Sequence, residues 1–424
     1  MTIDDMLTQA VTAFRAGQLA EAERQFKAVL AQQPQHLAGL NLLGMVLTAA
    51  RKFDEAEQTI RAAIAVNANS DATHHNHGVV LKELGRPAEA LAAIDKALAI
   101  NPAVANSWSL RGTVLNELKR SQEAAESFDR AIGLQPNLAE AWVGLAGILS
   151  LAKQSEDALT AYDRALALNP NLPAAWLGRA LSLAQMKRIP EAVAAYRDAA
   201  AHGVDAEQVN FHLAAIGAAP APAAPVSANI AMVFDQYAET FDQHLTEGLK
   251  YNIPAEAAAA VKRFTTQGKL DILDLGCGTG LVGEQLASLK RRMLGIDLSA
   301  KMLEKARQRG IYEELICDEL IRFLDTQTAI YDVVVAADVF IYLGDLAPVF
   351  RGVRRALKDG GVFCFSIEEA EQDFVVRESF RFAHSVAYIR RLAQQNGFSV
   401  QEMEPVIIRQ DEAAKIGGYL AVLR

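Results

Sequence analysis

The sequence predicts two folds in series: an all-helical repeat array, then a doubly wound α/β domain. Three observations carry this. Residues 3–206 repeat with a period of 34. The run Ala218-Ala219-Pro220-Ala221-Pro222-Ala223-Ala224-Pro225 then breaks the pattern, and alternating Pro and Ala favours an extended, semi-rigid spacer. Beyond it, Leu273-Asp274-Leu275-Gly276-Cys277-Gly278-Thr279-Gly280 joins a short apolar stretch to one of helical spacing through three glycines at alternate positions.

Composition narrows the possibilities. A chain of 424 residues suggests two or three domains. Hydrophobic residues at 51% and charged residues at 22% are ordinary for a protein with well-filled cores. A net charge of −9 argues against nucleic acid as the main partner, because phosphate binding wants a basic face. Cys277, Cys317 and Cys364 form no CxxC pair, so reduced thiols and a cytoplasmic location are expected. MTIDDMLTQA is acidic and lacks an apolar h-region, so no signal peptide is expected. No apolar run reaches the length of a membrane span.

Within the repeat, small residues recur at Ala22, Ala56, Ala90, Ala124, Ala158 and Ala192, and large ones at Phe26, Ile60, Ile94, Phe128, Tyr162 and Tyr196. Trp108, Trp142 and Trp176 start three successive units; Pro34, Pro102, Pro136 and Pro170 end units, with Ala68 in the missing place. This resembles the tetratricopeptide repeat (TPR): two helices per unit, a small residue for close packing and a proline that ends the second helix. Six units fit, followed by a capping helix over Glu207–Ile216, so residues 3–217 form the repeat domain and 218–226 the linker. The resemblance implies a right-handed superhelix whose concave surface binds a protein or peptide. Its inward positions hold Leu7, Asn41, His75, Ser109, Val143 and Leu177, a mixed groove without the lysines and asparagines of a carboxylate clamp. His74 and His77 share a helical face, but two histidines without nearby Cys or acids seldom hold a metal, so packing roles are expected and no metal site.

The second half is organised by the glycine turn. A glycine turn between strand and helix puts backbone N–H groups at an open edge and lets a ligand approach without interference from Cβ atoms. Leu294-Gly295-Ile296-Asp297 reads as a second strand, its acid 23 residues after Asp274 and suited to both hydroxyls of a ribose. Ile316-Cys317-Asp318 and Tyr331–Asp338 read as two further acidic strand ends. LDLGCGTG, GIDLS, CDEL, YDVVVAADV and LKDGGVFCFSIE, in this order, resemble the class I S-adenosylmethionine (SAM)-dependent methyltransferases of bacteria over residues 227–424. The expected whole is a TPR superhelix followed by a Rossmann-like seven-stranded methyltransferase domain, closed by a hairpin with an antiparallel last strand.

The resemblance implies that Gly276, Cys277, Gly278 and Gly280 face the methionine part of SAM, with Asp274 near its amino group. Asp297 and Leu298 would hold the ribose. Asp318, Glu319 and Met302 would lie by the adenine. Before strand one, Phe234, Tyr237, Phe241 and Leu245 share a helical face in FDxYAxxFDxHL, which resembles a lid segment of TPR-bearing methyltransferases; Tyr237 and Phe241 would cap the site. Methyl transfer needs a base only where the acceptor must lose a proton. Asp338, Tyr342, Glu368 and His384 are the candidates for such a base, with Asp338, Tyr342 and His384 the preferred catalytic residues. Arg381, His384 and Tyr388, read as opening a helix over Phe382–Gln395, would enclose the acceptor with Phe241. The expected activity is methylation of an unidentified acceptor, with S-adenosylhomocysteine as product and the repeats recruiting a protein partner or substrate. The competing readings are an interaction scaffold without catalysis and a nicotinamide-dependent oxidoreductase.

Overall fold

The structure is a computed structural model and describes residues 2–223, 231, 234–235, 238, 241–243, 245, 251–265, 268–411 and 414–424. It divides into two compact units, Met1–Val204 and Asp205–Arg424.

The first unit is twelve helices, α1 (Ile3–Arg15) to α12 (Ile189–Ala201), each of 13 or 14 residues and paired in six units. The packing code of the sequence is the packing of the fold. All six recurring alanines are fully buried, and the six large residues Phe26 to Tyr196 are buried against the small positions of neighbouring helices. An added Cβ on Gly44 would come within 2.3 Å of Ile60, and one on Gly178 within 2.2 Å of Tyr162. Gly178→Ala should therefore destabilise this unit by about 1–3 kcal/mol through overpacking, although helix propensity alone favours alanine by about 1 kcal/mol. Urea unfolding followed by tryptophan fluorescence measures it, since Trp108, Trp142 and Trp176 all lie in this unit. A stability equal to that of the parent would mean the Tyr162 ring swings aside.

Each tryptophan indole donates to the carbonyl of the proline six residues earlier: Trp108 to Pro102 at 2.9 Å, Trp142 to Pro136 at 3.0 Å and Trp176 to Pro170 at 2.8 Å. His74 occupies the same place one period earlier, and its Nε2 meets the carbonyl of Ala68 at 2.9 Å. It is thus a structural substitute for tryptophan, as expected. No group of metal-binding side chains occurs among the described residues. The inward side chains also bond between units: Asn41 Nδ2 donates to Thr73 Oγ1 at 2.8 Å, and His75 Nδ1 lies 3.0 Å from Ser107 Oγ.

The second unit is a seven-stranded sheet of order β3-β2-β1-β4-β5-β9-β8. The strands are β1 (Leu270–Leu275), β2 (Lys290–Asp297), β3 (Glu314–Cys317), β4 (Tyr331–Ala336), β5 (Leu357–Glu368), β8 (Val400–Asp411) and β9 (Ala414–Leu423). The first five pair in parallel, and β9 runs antiparallel to both β5 and β8. Both faces are covered, as a parallel sheet requires. Leu273, Val334, Phe363 and Phe365 pack into one core; Ile272, Val333, Val335 and Cys364 pack into the other. At the lower end of β1, Asp271 is held by Arg291 and by Lys358 at 2.8 Å. Its carboxyl is accordingly held below the usual range, chiefly by the Arg291 hydrogen bond.

Three expectations are corrected. The helix Ala206–Ala215, expected to cap the repeats, belongs to the second unit: Phe211, Ala214 and Ala215 pack with Val376 and Phe382. The Pro/Ala segment is not a free spacer as far as Ala223, whose carbonyl accepts from Gly344 N at 3.1 Å and Asp345 N at 2.9 Å. The helix expected over Phe382–Gln395 starts only at Val386; Phe382–His384 is a strand (β7) paired antiparallel with Phe374–Val376 (β6). Ser385 breaks it by capping the helix, its hydroxyl accepting from Tyr388 N at 3.1 Å.

Candidate active site

Because β1 to β5 are parallel, Asp274, Asp297, Asp318, Asp338 and Glu368 all stand at or just past one edge of the sheet. The turn after β1 needs its glycines. Gly276 has φ +65°, and a Cβ there would lie 2.5 Å from Val339. Gly280 has φ +94° and precedes the helix Leu281–Leu286. Both conformations are costly for other residues. Cys277 contributes backbone alone: its N–H donates to Ile296 O at 2.9 Å and its thiol is buried.

Asp297 ties the turn to β2. Its Oδ2 accepts from Gly278 N and its Oδ1 from Ser299 N, each at 2.9 Å. Burial pushes its carboxyl up, against the pull of these backbone bonds. Asp274 is buried deeper, and its Oδ2 accepts from Tyr312 Oη at 2.7 Å. Burial lifts it from the ordinary 3.8 to about 7. Tyr312 was not legible as a site residue, since it lies in a loop 38 residues from its partner.

Past β3, Leu298, Cys317, Asp318, Glu319 and Arg322 line a hollow of about 480 Å³. Asp318 accepts from Glu319 N at 2.7 Å and pairs with Arg322. Glu319 caps the helix Leu320–Leu324, its two oxygens accepting from Ile321 N at 3.0 Å and Arg322 N at 2.8 Å. Met302 is 1% exposed and is not among the residues that line the hollow.

The described part of the segment before β1 carries two Phe-Asp pairs. The Phe234 ring stands edge-on to Tyr342 at 5.4 Å and to Phe241 at 5.9 Å. The Phe241 ring lies over Gly278. Asp235 accepts from Ser299 Oγ at 2.5 Å, while Asp242 takes Thr279 Oγ1 and, at 2.5 Å, Arg309 Nη2. Arg309 Nε also donates to Thr279 O at 2.7 Å. The aromatic stripe was legible in sequence, but the docking acids were not. Tyr237 lies outside the described residues.

Of the catalytic candidates, Asp338 and Tyr342 stand at this edge and His384 does not act there. His384 is fully buried in β7, with Nε2 meeting Gly344 O at 3.0 Å. Burial lowers it to about 4, so it is a neutral packing residue with no access to a substrate. Tyr388 is likewise structural: its hydroxyl donates to Asp345 Oδ1 at 2.7 Å and accepts from Leu346 N at 2.9 Å. Burial raises the Asp338 and Tyr342 pKa values, and the charges of Arg409 and Arg381 oppose that rise. Asp338 has φ +58°, and burial raises its carboxyl to about 6. Tyr342 is pushed up to about 12 by burial. Arg409 and Tyr251 were not legible in the sequence as site residues. Arg409, 4% exposed, pairs with fully buried Glu368 at 2.6 Å. The Tyr251 phenol is held un-ionised by burial and by the charges of Asp338, Tyr342 and Asp274.

Comparison with known proteins agrees with this geometry. A methyltransferase-domain family model matches residues 273–363, and a tetratricopeptide-repeat model matches 7–72, 75–149 and 152–206. The chain is 32% identical over 126 residues to the malonyl-[acyl-carrier protein] O-methyltransferase of Bacillus anthracis, covering 29% of this chain and 46% of that one. It is 31% identical over 123 residues to the ubiquinone biosynthesis O-methyltransferase of Leptothrix cholodnii, covering 26% and 51%. It thus spans about half the length of the curated relatives it matches. The crystal structure of PilW, a type IV pilus biogenesis factor, aligns with 47% of this chain and 92% of its own at a TM-score of 0.44 and 20% identity. The methyltransferase-domain match falls on the part of the second unit that carries the glycine turn and the acidic ends of β1 to β4. The chain carries a tetratricopeptide repeat array followed by a class I methyltransferase domain.

Proposed function

We propose that this protein is a SAM-dependent methyltransferase of the cytoplasm whose repeat array recruits a protein partner or the substrate. The observation that carries this is Asp297, a half-buried carboxylate at the end of β2 that clamps the glycine turn through Gly278 N–H. The residues present fit the cofactor. Asp297 has oxygen lone pairs left for a ribose, Asp274 suits a cationic amino group, and the hollow at Asp318 suits a flat base. SAM, when bound, supplies a methyl group already activated on a sulfonium. The protein's part is to bind, orient and exclude water, for which Phe234, Phe241 and their two aspartate anchors are placed. Three free cysteines fit a reducing compartment, and no helix among the described residues is long and apolar enough to cross a membrane. The relatives' names specify O-methylation, which supports an oxygen acceptor here.

Calorimetry with SAM and S-adenosylhomocysteine tests the reading; no binding of either would end it. The pH profile adds a specific signature. Asp274 keeps its proton up to about pH 7 in the fold but only to about 3.8 unfolded. Stability therefore falls as pH rises between those values, because the unfolded chain releases the proton first. Cofactor binding runs the other way, since a cationic amino group favours ionised Asp274. Affinity for SAM should thus rise between pH 6 and pH 8, with proton release visible as a buffer-dependent binding enthalpy. Asp274→Asn should flatten the profile. A parent profile that is already flat would remove Asp274 from the amino-group site.

A further inference from the structure

Arg409 and Glu368 meet through one polar atom each. Their bond joins Nη2 to Oε1. Arg409 enters from β8 at a register shift between Ile407 and Arg409, which turns its side chain in from the sheet edge. Its Nη1 has no hydrogen-bond partner among the described residues, and neither has Asp338 Oδ1. Those two atoms lie 3.9 Å apart. That is too long for a hydrogen bond, yet one oxygen atom set beside the gap reaches both. An atom in that position must accept from a guanidinium and donate to a carboxylate. A hydroxyl does both, an ammonium cannot accept, and an ionised carboxylate cannot donate. Val339, the residue after Asp338, packs against Gly276, where an added Cβ would lie 2.5 Å from it, so the gap stands beside the glycine turn. Tyr342, four residues past Asp338, stands edge to face with Phe234 at 5.4 Å, so aromatic rings lie at this end of β4.

We propose that the methyl acceptor is a ring-borne hydroxyl whose oxygen sits between Arg409 Nη1 and Asp338 Oδ1. This rests on the methyltransferase reading and gives it an acceptor chemistry. In the transfer the acceptor oxygen forms a bond to the methyl carbon with one of its lone pairs. The carbon–sulfur bond breaks, its electron pair passing to sulfur. The hydroxyl proton goes to Asp338 Oδ1, and Arg409 holds the oxygen while negative charge gathers on it. Asp338, lifted to about 6, is ionised at neutral pH and more basic than an ordinary aspartate.

Proton NMR titration of the full-length protein, with and without S-adenosylhomocysteine, tests this with phenol, toluene and aniline as probes. Phenol should bind at least about tenfold tighter than either of the others, as expected for a hydrogen bond to a charged group. Asp338→Asn keeps a residue that tolerates positive φ and removes the carboxylate, and it should cut the preference to below about threefold. Affinity for S-adenosylhomocysteine should stay near the parent value. Equal binding of phenol and toluene, no phenol binding, preference for aniline, or a preference that survives Asp338→Asn overturns the proposal. Loss of S-adenosylhomocysteine binding by the parent protein would instead sink the methyltransferase reading, while the ring series without it still reads the clamp.

Discussion

Asp297→Asn is expected to weaken SAM binding by about 100-fold or more, the loss of two charge-assisted interactions at roughly 1.5–3 kcal/mol each. The carboxylate has two duties. Facing the ligand, it offers lone pairs to the ribose hydroxyls. Facing the protein, it takes Gly278 N–H and Ser299 N–H, so it sets both the glycine turn and the start of the next helix. Asparagine keeps the shape but has one oxygen, so one of the two N–H groups must face an NH₂ instead. Either duty alone predicts loss. Hydrogen exchange separates them: the Gly278 and Ser299 amides should lose protection in the variant. Calorimetry that finds unchanged affinity would show that the ribose is held elsewhere.

The elements legible in the sequence are those written as periodic or local signals. The repeat was legible because the six alanines and the six large residues are buried in every unit, and Ile60, Ile94, Phe128 and Tyr162 fill the space at Gly44, Gly78, Gly112 and Gly178 of the neighbouring helix, so packing repeats the same spacing. The parallel strands were legible because both faces are buried, which leaves runs such as Tyr331–Ala336 almost wholly apolar. β7 was not legible. Three residues are too few to show alternation, and what makes Phe382–His384 a strand is its pairing with Phe374–Val376. The misreading of His384 follows from that. A histidine between Arg381 and Tyr388 looks like an exposed polar cluster, yet period-two geometry sinks it into the core, where Gly344 O satisfies one nitrogen. Arg409 was hidden for the opposite reason. It ends a stretch that reads as an ordinary edge strand, and its partner Glu368 is 41 residues away. Only the antiparallel pairing of β9 with both β5 and β8 brings them together.

Arg409→Met should be the most damaging single substitution in the second unit, costing about 3–5 kcal/mol, because it leaves Glu368 buried without its partner. Arg377 Nε, 3.4 Å from Glu368 Oε2, stays in place but sits on an exposed side chain and is a weak substitute. The loss comes from stranding a charge, so removing the other charge should recover it. Glu368→Met combined with Arg409→Met should return most of the stability, since a buried pair replaced by apolar groups of similar volume is often neutral or better. Tryptophan fluorescence cannot follow this, as all three tryptophans lie in the repeats. Cys364 can: its thiol is fully buried in β5, and burial pushes it up to about 12, so it reacts only once the sheet opens. Thiol labelling in urea should begin at lower concentration for Arg409→Met and move back for the double variant. A double variant no more stable than Arg409→Met would show that Arg409 supports the sheet through its packing rather than through its charge.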